Sequence, residues 1–180
     1  MANLIALPEP ADLVDLFRLY PETAKVALPL AQHILRSDSP LTVMQRELIF
    51  AFGSGLNACH YCHGAHTAAA EALGLDTSLM ASLLEDIDTA PIDEPFKPIL
   101  KYVKKLTQTP SKVTRADADA VRAAGWSDDA LHSAITVCAL HNFFNRWVDG
   151  SGVDGSDAYV RERGEYLADN GYLPSNTDRD

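Results

Sequence analysis

The chain has 180 residues, 47% hydrophobic and 22% charged, enough for one substantial core and too few for two. Its net charge of −10, from 25 acidic against 15 basic residues, argues against a nucleic-acid partner, because affinity for a phosphate backbone comes from clustered Lys and Arg. The opening MANLIALPEPADLVDLF lacks the basic start and unbroken apolar run of a signal peptide, and no apolar stretch approaches the roughly 20 residues of a membrane span, so a soluble, cytoplasmic protein with no membrane partner is expected.

Nothing in the chain alternates apolar and polar residues long enough to make a strand, so the expected fold class is all-α, with eight or nine helices in one domain. In chain order, helices are predicted over 10–20, 22–36, 42–57, 60–74, 76–85, 94–108, 115–124, 127–148 and 156–169. Pro29 should kink or divide the second, because it removes a backbone donor. Thr42 with Gln45, Thr114 with Asp117, and Ser127 followed by Asp128 and Asp129 are start signals, while Gly74 and Gly125 are stops. The segment DIDTAPIDEP at 86–95 reads as the main exposed connection between two helical halves. Each half holds a capped, mostly apolar helix, at 41–57 and 126–142, a likeness too weak to establish a repeat. Lys101, Lys104 and Lys105 form a solvated helix face, and the polar tail 173–180 should fray.

Three cysteines are an odd count for a disulfide scaffold, and two of them, Cys59 and Cys62, form a C-x-x-C, which in a cytoplasmic setting points to redox chemistry or metal binding. On a helix, Cys59, Cys62, His63 and His66 fall on one stripe with Ala70 and Leu73. A thiol at a helix N-terminus is favoured as thiolate, which slightly favours Cys59 as the nucleophile. His63 lies on the same stripe, where it could relay protons or orient Glu47. Cys138, in an apolar run, reads as a small buried hydrophobe, and His33 and His132 as structural.

Glu47 projects among Val43, Met44, Phe50, Ala51 and Ser54, an apolar face on which a carboxylate must find a partner. Desolvation should raise its pKa and make it a proton acceptor for the thiols, directly or through water; the competing reading is an ion pair with an arginine such as Arg146. Asn142 and Arg146, amid Phe143, Phe144 and Trp147, are expected to line the pocket beside the thiols, with the aromatics in the core or a subunit interface. A zinc site built from Cys59, Cys62, His66 and Glu47 is chemically acceptable but difficult on contiguous helices, so no metal is assigned.

The pattern Glu47-x11-Cys59-x2-Cys62-x3-His66 resembles the active-site signature of the AhpD-like alkylhydroperoxidases of the carboxymuconolactone decarboxylase superfamily. CHYCHGAH and the later HNFFNRWVDG look like the peroxidase-related branch, and the likeness extends over most of residues 20–150. The resemblance implies an all-α homo-oligomer acting as a thiol peroxidase or disulfide reductase without haem, flavin or other cofactor. By the same resemblance, Cys62 is the peroxidatic thiol, Cys59 the resolving thiol, and Glu47 with His66 the proton relay. Its partners would be a peroxide or disulfide substrate and an external dithiol reductant such as a lipoyl group. One departure is that Tyr61 stands where well-studied members carry His, with a different His at position 60; a phenol donates a hydrogen bond but is a poor proton shuttle at neutral pH. The alternatives are a redox-sensing or partner-binding protein with a reversible Cys59–Cys62 disulfide and little turnover, and a non-redox decarboxylase on the same scaffold.

Overall fold

The computed structural model describes residues 2–173, so the tail expected to fray lies, beyond Leu173, outside the described residues. Among those residues there are nine α-helices and no strand: α1 Leu13–Leu19, α2 Pro21–Arg36, α3 Val43–Leu56, α4 His60–Ala72, α5 Leu79–Glu85, α6 Lys97–Gln108, α7 Arg115–Ala123, α8 Asp128–Ser151 and α9 Asp157–Asn170. None is long and apolar enough to cross a membrane.

The start signals act as read. Thr42 and Gln45 form a reciprocal capping box on α3, Thr114 and Asp117 another on α7, and Ser127 accepts from the Ala130 amide to open α8. Pro29 does not divide α2, which runs through it unbroken. Pro29 is exposed, so the carbonyl left without its amide partner can turn to water. Helix α8 continues past the expected residue 148 to Ser151 and stops where Gly152 takes a left-handed conformation.

Helix α3 is the axis of the fold. Every residue from Arg46 to Ser54 is buried, and it packs against α2, α4, α5, α6 and α8. Burying Leu48, Ile49, Phe50 and Phe52 contributes about 1.5–3 kcal/mol per side chain. The 86–95 connection is less exposed than expected: Ile87 and Ala90 are buried, and Lys97 donates to the Asp88 carbonyl. The two helical halves do not stand apart, because α3 packs on α6 and α8 and a single buried cluster draws on both. The two similar helices even meet at corresponding ends, where Asn57 donates to Asn142.

Two local features fix α4. Helix α3 ends in a Schellman motif: the Ala58 amide donates to the Gly55 carbonyl and the Cys59 amide to the Ser54 carbonyl, with Ala58 left-handed at φ 56°. Cys59 thus closes α3 and caps α4 at once, holding the two helices in a fixed turn. On its other side α4 meets α9 so closely that a Cβ on Gly164 would lie 2.2 Å from the Ala65 carbonyl oxygen. Ala65, Ala68 and Ala69 supply the matching small surface, and only a glycine on α9 permits that approach.

Candidate active site

Glu47 is fully buried near the start of α3 and is reached by three donors from three parts of the chain. Arg36, in the last turn of α2, places Nη1 2.5 Å from Oε1; Tyr172, beyond α9, donates its hydroxyl to Oε1 at 2.7 Å; His66, on α4, lies with Nδ1 2.6 Å from Oε2. Burial by itself would raise the Glu47 pKa, but the charge and hydrogen bond of His66, with Arg36 and Tyr172, outweigh it and hold the carboxyl below its ordinary value. This corrects the sequence expectation: Glu47 is a fixed carboxylate and not a base poised near neutrality. Its ion-pair partner is Arg36 and not Arg146, which is exposed and donates to Asn142.

A carboxylate only accepts, so the His66 Nδ1 that faces Glu47 carries a proton, and Nε2 is turned away from the carboxylate. The imidazole is clamped in that orientation. Phe50 stacks on one side at 3.5 Å between ring centroids, and Tyr172 lies nearly parallel to it at 6.0 Å. Arg36 is held in turn by the Leu35 and Leu167 carbonyls and sits over the Tyr172 ring at 4.9 Å. Burial first, and then the Glu47 charge, keep the Tyr172 phenol well above its ordinary pKa, so it stays a donor.

The two thiols have unlike surroundings. A cavity of about 1130 Å³ opens beside α4, bordered by Cys62, His66, Phe50 and Tyr172, and Cys59 does not border it. Cys59 is fully buried behind Cys62, and both are free thiols. Its hydrogen bond with Cys62, then burial, and more weakly a hydrogen bond with Asp149 push the Cys59 thiol far above its ordinary value. Cys59 does cap α4 as the helix-terminus expectation requires, but the adjacent sulfur and burial oppose the thiolate that the helix dipole favours there.

The remaining sequence candidates separate. Tyr61 is buried against Tyr159 and borders the cavity, its phenol pushed up chiefly by burial. His63 turns away from the cavity and donates Nδ1–H to the Ala51 carbonyl at 3.0 Å, so it neither touches Glu47 nor faces the cavity. Asn142 and Arg146 do not line the cavity either. Asn142 belongs to a polar seam in which Asn57 donates to Asn142 and Asn145, and Asn145 donates to Ser54, tying the end of α3 to α8. Cys138 is buried beside Thr107 and Asn142, as a small apolar residue would be. Among the described residues no three His, Cys, Asp or Glu side chains converge to hold a metal; His66 and Glu47 are engaged with each other.

Sequence reading missed Arg36 and Tyr172. Arg36 carries a faint signal, as a cation in the last turn of an amphipathic helix facing a buried acid, whereas Tyr172 next to a polar tail carries none.

The helical scaffold carries a buried Glu–His pair, the imidazole one turn from a cavity-facing thiol and a second, buried thiol beside it, and its fold is AhpD-like by comparison with solved structures. The chain matches no protein-family model and no curated protein. Among solved structures it is similar to an uncharacterized peroxidase-related protein from Silicibacter sp. TM1040, with TM-score 0.76 and 23% identity over 84% of this chain and 79% of that one. It is equally similar to an alkylhydroperoxidase AhpD core protein, an uncharacterized peroxidase-related protein from Ralstonia eutropha JMP134, with TM-score 0.76 and 21% identity over 83% of this chain and 78% of that one.

Proposed function

We propose that this chain is a thiol-dependent hydroperoxidase in which Cys62 attacks the peroxide, Cys59 resolves the product, and His66, oriented by Glu47, handles the proton. The observation that carries the reading is the asymmetry of the pair: Cys62 and His66 border the cavity, while Cys59, at the N-cap of α4, is fully buried and does not border it. Similarity in fold to peroxidase-related proteins supports the same class of activity.

The oxidative half of the cycle is assigned to the chain's own side chains, and the reductive half to an external dithiol. His66 Nε2 takes the Cys62 proton, and the Glu47 carboxylate stabilises the resulting imidazolium. The thiolate attacks the terminal oxygen of ROOH; the S–O bond forms, the O–O bond breaks, and the leaving alkoxide takes the proton from His66 to depart as ROH. The sulfur of Cys59 then attacks the sulfenic acid of Cys62, forming the S–S bond and expelling water once its own proton has been transferred to the departing oxygen. An external dithiol, of which a lipoyl-linked one is an example, reduces the disulfide by exchange and leaves as its own disulfide, completing a two-electron cycle. A homo-oligomer is part of the same reading, because Tyr20, Val26 and Leu30 are large side chains left exposed along and beside α2.

The test is peroxide consumption under single-turnover conditions, with mass spectrometry of the alkylated thiols. One equivalent of peroxide should convert Cys59 and Cys62 into a disulfide; Cys59→Ser should stop at a trappable sulfenic acid on Cys62; Cys62→Ser should consume no peroxide. Undiminished consumption by Cys62→Ser would remove the reading.

A further inference from the structure

The cavity in front of Cys62 is far larger than a small peroxide needs, and its lining specifies what else it takes. At about 1130 Å³ it exceeds the 300–1,000 Å³ typical of sites that enclose drug-sized ligands. Its walls are mainly hydrocarbon and aromatic, with Leu13, Phe17, Leu28, Phe144 and Leu167 contributed by four different helices. Such walls favour an extended apolar chain, each buried methylene strengthening binding about fourfold.

The charges on the lining have one sign. In a chain with 25 acidic and 15 basic residues, the described side chains of formal charge that border the cavity are Arg18, Lys25 and Arg163, with no Asp or Glu among the described residues of the lining. Arg18 and Lys25 are exposed and already face Asp15 and Glu22 at 3.5 and 2.6 Å. Arg163 differs. It is half-buried on α9, lies over the Tyr166 ring at 4.7 Å, and makes no ion pair among the described residues. A guanidinium held by an aromatic face at the edge of an apolar cavity, with no carboxylate partner among the described residues, is suited to bidentate capture of a carboxylate. Without a local cation, the overall charge of −10 would repel such an anion.

We propose that the substrate is an apolar hydroperoxide that also carries a carboxylate, as a long-chain fatty-acid hydroperoxide does. The hydrocarbon lies along the cavity wall, the carboxylate engages Arg163 and the peroxide reaches Cys62. This rests on the peroxidase reading above and narrows its substrate class. The reaction that supplies the substrate is then oxygenation of an unsaturated acyl chain, and the product is the corresponding hydroxy acid.

The experiment measures the rate of Cys62 oxidation by an octadecadienoic acid hydroperoxide, by its methyl ester and by hydrogen peroxide, each below its aggregation concentration. In the native protein the acid should react about five- to tenfold faster than the ester, the factor expected of one partly buried, charge-assisted pair, and added salt should reduce the ratio. Arg163→Gln should bring the acid-to-ester ratio to about one, and Arg163→Lys should retain part of it; because each ratio is taken within one protein, a loss of folded material does not alter it. Equal rates for acid and ester in the native protein, or a ratio undiminished in Arg163→Gln, would overturn the proposal while leaving hydrogen peroxide oxidation of Cys62 to uphold the peroxidase reading. Failure of all three peroxides to oxidise Cys62 would overturn both.

Discussion

The most searching perturbation is Glu47→Gln, because it keeps the side chain's shape and removes only its charge. The carboxylate is fully buried and answers Arg36, Tyr172 and His66 at 2.5, 2.7 and 2.6 Å. A neutral amide has one acceptor oxygen where the carboxylate offers two, and its NH2 must face either Arg36, which cannot accept, or His66 or Tyr172, which accept only by moving their own protons. It also leaves the half-buried Arg36 charge without a counter-ion. Three charge-assisted hydrogen bonds at about 1.5–3 kcal/mol each are not additive and are offset by the relief of a buried charge, so a net loss of about 3–5 kcal/mol is expected. In a chain of this length that lowers Tm by roughly 6–20 °C. Because the folded Glu47 pKa lies below its unfolded value, the native protein has this stabilisation in full above the unfolded value of about 4.3 and loses it as pH falls through the folded value. Urea unfolding of both proteins from pH 7 downward should therefore show a gap that is widest near neutrality and narrows as pH falls through the folded value. Removing the counter-ion of the imidazolium should also slow alkylation of Cys62 near neutral pH. A variant within about 1 kcal/mol of the native protein at pH 7, with an unchanged alkylation profile, would refute the view of Glu47 as a fixed carboxylate orienting His66.

Two further predictions concern the scaffold. His141 is wholly buried, with its Nδ1 unpartnered, and burial above all lowers its pKa to about 4. A folded value below the unfolded 6.5 means stability that is present above pH 6.5 and lost as pH falls toward 4, amounting to about 3 kcal/mol; His141→Gln should flatten that limb of the stability–pH curve measured by chemical unfolding. Gly164→Val should separate α9 from α4, since even its Cβ would meet the Ala65 carbonyl oxygen at 2.2 Å; a loss of about 3 kcal/mol or more, with faster alkylation of Cys62, is expected, and a Tm within 2 °C of native would contradict the close helix contact.

Much of the fold was legible in the sequence because helix starts and stops are local chemistry. Thr42 with Gln45, Thr114 with Asp117, Gly74 and Gly125 act on residues within one turn of themselves, and all act as read. The proximity of Glu47 to the Cys59–Cys62–His66 segment was legible for a similar reason: a short connection leaves consecutive helices little choice but to pack together. Periodicity was less reliable for His63, which shares the stripe of Cys62 on an isolated helix but finds the Ala51 carbonyl on α3.

The amino-acid sequence by itself determined an all-helical chain of eight or nine helices, most of their caps, a C-x-x-C thiol pair one turn from an imidazole, and a buried acid in need of a partner. Tertiary structure decided which partner that acid takes, and with it the direction of its pKa, because the answer depends on Arg36 and Tyr172, 11 and 125 residues away. It also decided which thiol meets the cavity. Local sequence slightly favoured Cys59 through its place at a helix N-terminus, whereas packing across the whole chain leaves Cys59 fully buried and Cys62 beside an apolar cavity.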